Sequence, residues 1–206
     1  HEGRFSRPVP LWTVRSEYAP DIIEALENSF GELEQKDDLG AALLSAAKNA
    51  VEDNIHDYLS ELSHLTKGSF LEELDEDNIR VRFRELMTNS IFYTLSRRCG
   101  QEPMDALDDD DFIRIVDFNK LPVLSFLGNA VSEQCEAVLF DIGREMRKIY
   151  KKEITQQLEK SVDSLYNTNT DFSALKRETK ENTTKGGQKN GVDVLPQGRL
   201  SVPESG

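Results

Sequence analysis

Five basic side chains lie close together between residues 144 and 152, and no other group in the chain is better placed to contact phosphate. They belong to the stretch REMRKIYKK and are Arg144, Arg147, Lys148, Lys151 and Lys152. Several are three or four residues apart, so a helix would bring them to a common side. That makes them candidates for nucleic-acid contact. The same spacing also suits a solvated helix surface whose cations pair with nearby glutamates, and we favour that interpretation.

The charge of the whole chain argues against a general nucleic-acid-binding protein. Among 206 residues, 25 are Lys or Arg and 38 are Asp or Glu, which gives a formal net charge of −13. Phosphate backbones repel such a chain unless its cations gather on one face. Direct DNA contact therefore stays an alternative that the net charge disfavours.

Two acidic clusters have the composition of metal ligands without the required spacing. In DALDDDDF, an EF-hand loop beginning at Asp105 would need glycine at its sixth position, where the chain has Asp110. The second cluster is EELDEDN, residues 72–78. We expect both to be solvated helix starts, where carboxylates are favoured by the helix dipole, rather than metal sites.

No catalytic set can be assembled from the remaining polar residues. His56 and His64 are about 12 Å apart along a helix, too far to share a metal ion. Cys99 and Cys135 lack CxxC spacing, and we expect them to be small buried side chains rather than a disulfide or a nucleophile. HExxH, GxSxG and glycine-rich phosphate motifs are absent from the sequence. We therefore predict a protein that is not an enzyme and has no cofactor and no metal.

Hydrophobic periodicity predicts an all-α fold, a bundle of four to five helices between residues 20 and 166 that ends in a long C-terminal helix. Apolar residues recur at spacings of three and four in 20–30, 37–62 and 75–100, and a short helix is expected near 108–118. Gly31 and Gly100 are expected at helix ends.

The long C-terminal helix is expected to begin with Asn119 as its cap and Pro122 in its first turn. Its predicted inward stripe consists of Leu124, Leu127, Val131, Cys135, Val138, Ile142, Met146 and Ile149. Further apolar residues continue past this stripe and are candidates for contact with a partner helix: Ile154, Leu158, Val162 and Leu165. Small residues at Ser125, Gly128 and Ser132 predict that another helix backbone packs closely there, because an interior glycine otherwise only weakens a helix.

The two ends of the chain differ from the helical domain. Residues 1–19 contain two prolines and the only tryptophan, and they predict an extended N-terminal arm that buries Trp12; the alternative is that Trp12 stacks on a ligand. Residues 167–206 are poor in apolar residues and predict a disordered polar linker or tail. The longest apolar run, Leu121 to Leu127, is far shorter than the roughly 20 residues of a membrane span. The chain begins at His1, and we expect it to be a fragment of a longer protein.

The central region resembles a known family. The stretches RVRFRELMTNSIFYTLSRRCG and DDDFIRIVDFNKLPVLSFLGNAVSEQCEAVLFDIGREM, within residues 79–149, resemble a helical segment of antirestriction-like or LtrC-like accessory proteins of Gram-positive conjugative and integrative elements. The resemblance rests on helical core positions and carries no catalytic motif. It implies a supporting role in mobile-element DNA transfer, in the bacterial cytoplasm.

Composition and resemblance together predict a non-enzymatic scaffold or interaction module of a conjugative-element protein. Its partners would be other domains of the parent chain, another protein, or a second copy bound through the last helix. The alternative is a nucleic-acid-binding accessory domain that acts in conjugative DNA transfer or antirestriction.

Overall fold

The predicted all-α fold is confirmed by a computed structural model, which describes residues 12–103 and 106–184, with side chains described as far as residue 165. The α-helices in these residues are α1 Ala19–Phe30, α2 Leu39–Ser63, α3 Glu76–Arg98 and α4 Leu121–Thr184. Short 3₁₀ segments cover Ser16–Tyr18, Phe70–Glu73 and Asp109–Phe118. The described residues contain no strand.

The chain divides into two compact units, His1–Glu153 and Ile154–Gly206. The division falls within α4, which reaches Thr184 and so passes the predicted end of the helical domain at residue 166. Residues 167–184, predicted to belong to a disordered tail, therefore continue the helix. Side chains beyond residue 165 and all of residues 185–206 lie outside the described part, where the disordered tail stays a prediction. Of the predicted arm, residues 1–11 also lie outside it.

Helix α1 ends where glycine was expected. Gly31 follows its last residue with a φ of 81°, in the left-handed region that favours glycine. The side chain of Asn49 in α2 then donates to the carbonyl groups of Phe30 and Glu32, at 2.9 Å each. These hydrogen bonds join the end of α1 to α2. They also satisfy carbonyl groups that have no hydrogen-bond partner within α1.

Both α2 and α3 begin with an aspartate cap. Asp38 accepts from the backbone N–H of Ala41 at 2.8 Å, and Asp75 accepts from that of Asn78 at 2.9 Å. Capping of this kind satisfies N–H groups that lack an intrahelical partner. The acidic cluster at 72–78 is therefore a helix start, as predicted.

The core between α2, α3 and α4 contains a group of aromatic rings. Phe83 of α3 is fully buried, with ring centroids 6.0 Å from both Tyr58 and Phe126 and 6.4 Å from Phe118. Asp117 is also buried here and forms an ion pair with Arg82. This core holds the first part of α4 against α2 and α3.

The predicted inward stripe of α4 is wrong at its beginning. Leu124 is 44% exposed, whereas Val123 is fully buried. The buried stripe runs through Gln134, whose amide donates to the Tyr58 hydroxyl at 2.7 Å. A pattern drawn through apolar residues alone does not include this polar position. Before it, the pattern is displaced by one residue at Leu124, whereas Leu127 is buried as predicted. From Cys135 to Ile149 the stripe is buried as predicted.

The predicted cap of α4 is also wrong. The helix begins at Leu121, so Asn119 lies before the capping position. Its side-chain oxygen instead accepts from the backbone N–H of Phe70, at 3.1 Å. Asn119 therefore joins the end of one 3₁₀ segment to the start of another, and Pro122 lies in the first turn of the helix as predicted.

Candidate functional site

The five basic residues between 144 and 152 are all exposed, but they do not form a free cationic patch. Arg144 pairs with Asp141 at 2.8 Å, and Lys148 pairs with Glu145 at 2.7 Å. Both are pairs three residues apart on the helix, and they reduce the charge available to phosphate. The favoured interpretation, a solvated surface whose cations pair with nearby glutamates, holds for Lys148, whereas the partner of Arg144 is an aspartate.

Arg147 differs from its neighbours. It makes no ion pair with any residue that the structure describes, and its Nη1 lies 3.6 Å from the position that a Cβ on Gly143 would occupy. Arg147 therefore lies along α4 next to Gly143, where it lines a groove together with Trp12 and Arg98.

Trp12 is fixed beside this groove by its backbone and by its ring. Its N–H donates to the carbonyl of Arg98 at 2.8 Å, and the Arg98 guanidinium lies 4.9 Å from the centre of the indole. Two glycines make room for it. A Cβ on Gly100 would lie 2.9 Å from the Trp12 carbonyl oxygen, and one on Gly143 would lie 3.2 Å from the indole Cζ2. Trp12 thus packs on α3 and α4 and is partly buried. The predicted extended arm is wrong at its end, because Ser16–Tyr18 form a 3₁₀ segment and α1 begins at Ala19.

The groove, which we call the Trp12 groove, has a volume of about 620 Å³. Its walls are Thr94 and Arg98 of α3, the side of α4 from Gly128 to Arg147, and Trp12. On α4 it is mostly apolar or small, and Phe140, which is 63% exposed, stands at its edge. Among the lining residues that the structure describes, Glu136 is the one acidic residue. No spacing pattern in the sequence predicted this groove, although the glycines at 128 and 143 line its α4 side.

The prediction of close helix packing at Ser125, Gly128 and Ser132 is wrong within the described residues. A Cβ on Gly128 would meet no atom within 4 Å, and both serines are exposed. Because the core-facing stripe of α4 lies on another side, these small residues leave open space instead of admitting a neighbouring backbone. Gly128 and Ser132 line the Trp12 groove.

The four apolar residues predicted to contact a partner helix are exposed. Ile154 is 58%, Leu158 62%, Val162 47% and Leu165 65% exposed, and their spacing of four, four and three residues puts them on one side of the helix. We call them the outer face. The second unit thus presents an unburied apolar surface.

The acidic cluster at 105–112 caps a 3₁₀ segment. Asp108 accepts from the backbone N–H groups of Asp110 and Asp111, at 2.9 and 3.3 Å, and the Asp111 side chain accepts from the N–H of Asp108. The described residues contain no group of three or more side chains placed to hold a metal ion. Asp105 lies outside the described part.

Both cysteines are free and buried, as predicted. Burial raises the pKa of Cys99 to about 12 and that of Cys135 to about 11. The thiolate is the reactive form, so neither is an activated nucleophile at neutral pH. His56 and His64 are exposed.

In the part of the chain that the structure describes, no helix is long and apolar enough to cross a membrane. No protein-family model, no curated protein and no solved structure matches this chain. The resemblance to conjugative-element accessory proteins therefore stays a prediction.

Proposed function

We propose that this chain is a non-enzymatic helical interaction module that associates with a second copy through the outer face. The observation that carries the proposal is the exposure of Ile154, Leu158, Val162 and Leu165 on one helix side. The sequence resemblance supports a setting within a multidomain protein of a conjugative element. There the module would hold copies or domains together.

The size of the outer face sets the expected strength of association. Burying a Val, Leu or Ile side chain completely contributes about 1.5–3 kcal/mol. Since the four residues are about half to two thirds exposed, two chains together would contribute about 7–14 kcal/mol. Association costs about 4–15 kcal/mol because the two chains lose translational and rotational freedom. We therefore expect a weak, concentration-dependent dimer rather than an obligate one.

The test is the molar mass of the full chain, measured by light scattering over a dilution series. Replacing Ile154 and Leu158 by aspartate places charges within the outer face and should abolish association without changing the helical circular dichroism. The matched control is Gln156→Asp with Lys160→Gln. It changes the net charge equally, and each residue lies two positions, about 200° around the helix, from a member of the face.

Three results would count against the proposal. The wild-type chain could remain monomeric at the highest concentration. The aspartate variant could associate as the wild type does. The control variant could lose association to the same degree, which would show that charge rather than the apolar face is responsible.

The alternative function, a nucleic-acid-binding accessory domain, has one observation in its favour. Arg147 makes no ion pair with the described residues, and Tyr150 nearby is 38% exposed. Fluorescence anisotropy with labelled single- and double-stranded oligonucleotides at low salt tests it. Binding that falls steeply with salt and is lost on Arg147→Glu would support this alternative, whereas no binding at low salt would exclude it.

A further inference from the structure

We propose that the Trp12 groove binds an amphipathic, acidic helix of a partner protein. This inference goes beyond self-association through the outer face, and it rests on different residues, all within the first unit. It concerns the space that the small residues of α4 leave open beside Trp12.

The shape of the groove suits a helix. From Gly128 to Arg147 it follows about 28 Å of α4, at 1.5 Å per residue. It is therefore elongated, as expected for a helix laid along another helix rather than for a compact ligand. The open space at Gly128 would let a partner backbone approach α4 closely.

The groove also has the components of a protein-binding hot spot. Trp12 is held in place by its backbone and by Arg98, so its indole needs no ordering when a partner binds. Phe140 exposes most of its ring at the groove edge. Aromatic and arginine side chains of this kind contribute most of the binding energy in many interfaces.

The charged residues of the groove indicate which kind of partner helix it can bind. The groove contains Arg98 and Arg147 at the Trp12 end and Glu136 further along α4. Its described lining thus contains two arginines and one glutamate, in a chain whose net charge is −13. A partner with carboxylates near one end of its apolar face complements the two arginines, whereas a basic helix is repelled there. The Arg147 guanidinium can donate two parallel hydrogen bonds to a partner carboxylate.

The experiment selects displayed amphipathic helices, with apolar faces and randomised charged positions, for binding to the full chain. We expect the enriched helices to carry Asp or Glu near one end. Trp12 is the only tryptophan among the 206 residues, so its fluorescence emission reports binding in the groove directly. Synthetic peptides of the enriched sequences should shift that emission.

Two pairs of variants locate the binding site. Gly128→Leu fills the groove and should weaken binding about tenfold or more, whereas Ala137→Leu, at an exposed position of α4 outside the groove lining, should not. Gly128→Leu should fold, because a Cβ there meets no atom within 4 Å and leucine favours a helix over glycine. Arg147→Glu should also weaken binding about tenfold, and Arg144→Glu, outside the groove lining, should change it much less.

Four results would overturn the proposal. The first is that no helix is enriched, and the second is that the enriched helices are basic. The third is that binding leaves Trp12 emission unchanged and is insensitive to Gly128→Leu. The fourth is that Gly128→Leu abolishes self-association of the chain itself, which would make a second copy the occupant. Loss of self-association in the outer-face variant alone leaves the groove proposal standing.

Discussion

Two stretches of α4 have similar apolar spacing and opposite environments. Between residues 123 and 149 the stripe is buried against α2 and α3, and Ile142, for example, is fully buried. Between residues 154 and 165 the apolar residues are about half or more exposed. The spacing of apolar residues therefore shows that a helix has a side to bury, and it does not show whether the chain itself covers that side.

The comparison separates residues that stabilise the fold from residues that are free to bind. Stability should depend on the first stretch and association on the second. Substitutions at residues that stabilise the fold are therefore compared with matched substitutions at exposed or neighbouring residues, beginning with the largest expected effect.

The largest effect is expected from alanine substitution in the buried stripe. Ile142→Ala removes fully buried methylene and methyl groups and should lower the free energy of unfolding by about 2–5 kcal/mol. Leu158→Ala, in the outer face, should change it by about 0.5 kcal/mol or less. Urea denaturation of both variants at a concentration where the chain is monomeric measures the difference. Equal losses would mean that the outer face is covered within a single chain.

A smaller effect is expected from the buried ion pair. Asp117→Asn leaves the Arg82 guanidinium without its anionic partner where both side chains are mostly buried, and should cost about 2 kcal/mol of unfolding free energy. Glu52→Gln breaks an exposed pair with Arg84 and should cost less than about 1 kcal/mol. If the two variants lose the same stability in urea, the buried pair has no special role.

The smallest effect is expected at the cap of α3 and depends on pH. Hydrogen bonds from the backbone and side chain of Asn78 hold the pKa of Asp75 below its usual range. This stabilisation is present above the ordinary carboxyl pKa and is lost as pH falls through the lowered one. Asp75→Ala should lower Tm by a few degrees at neutral pH and by less in acid, when measured by circular dichroism. Asp77→Ala, which removes no cap, should change Tm less, and a pH-independent loss at Asp75 would contradict the account.

Much of the fold could be predicted because its signals are local. The acidic cluster at 72–78 and the glycines at 31 and 100 mark helix ends through residues that lie next to them in sequence, and the structure confirms each. Asn119 and Gln134 could not be placed in this way. Their partners, Phe70 and Tyr58, are 49 and 76 residues distant, and spacing along a helix gives no information about them.

The Trp12 groove could not be predicted from local spacing for the same reason. Its walls come from the arm, α3 and α4, so it exists only after these parts pack. The glycine at 128 was a visible signal, but a glycine within a helix indicates close packing and open space equally well. The basic residues of 144–152 were visible too, and only the structure shows that Arg144 and Lys148 are paired while Arg147 lines the groove.

Hydrogen exchange of α4 at low and high protein concentration tests the central claim most directly. If the outer face binds a second copy, the backbone amides of residues 154–165 should become more protected as concentration rises. Those of residues 123–149, already buried within one chain, should not change, and the variant with aspartate at 154 and 158 should show no dependence on concentration. Protection of residues 154–165 that is the same at every concentration in the wild-type chain would contradict the account.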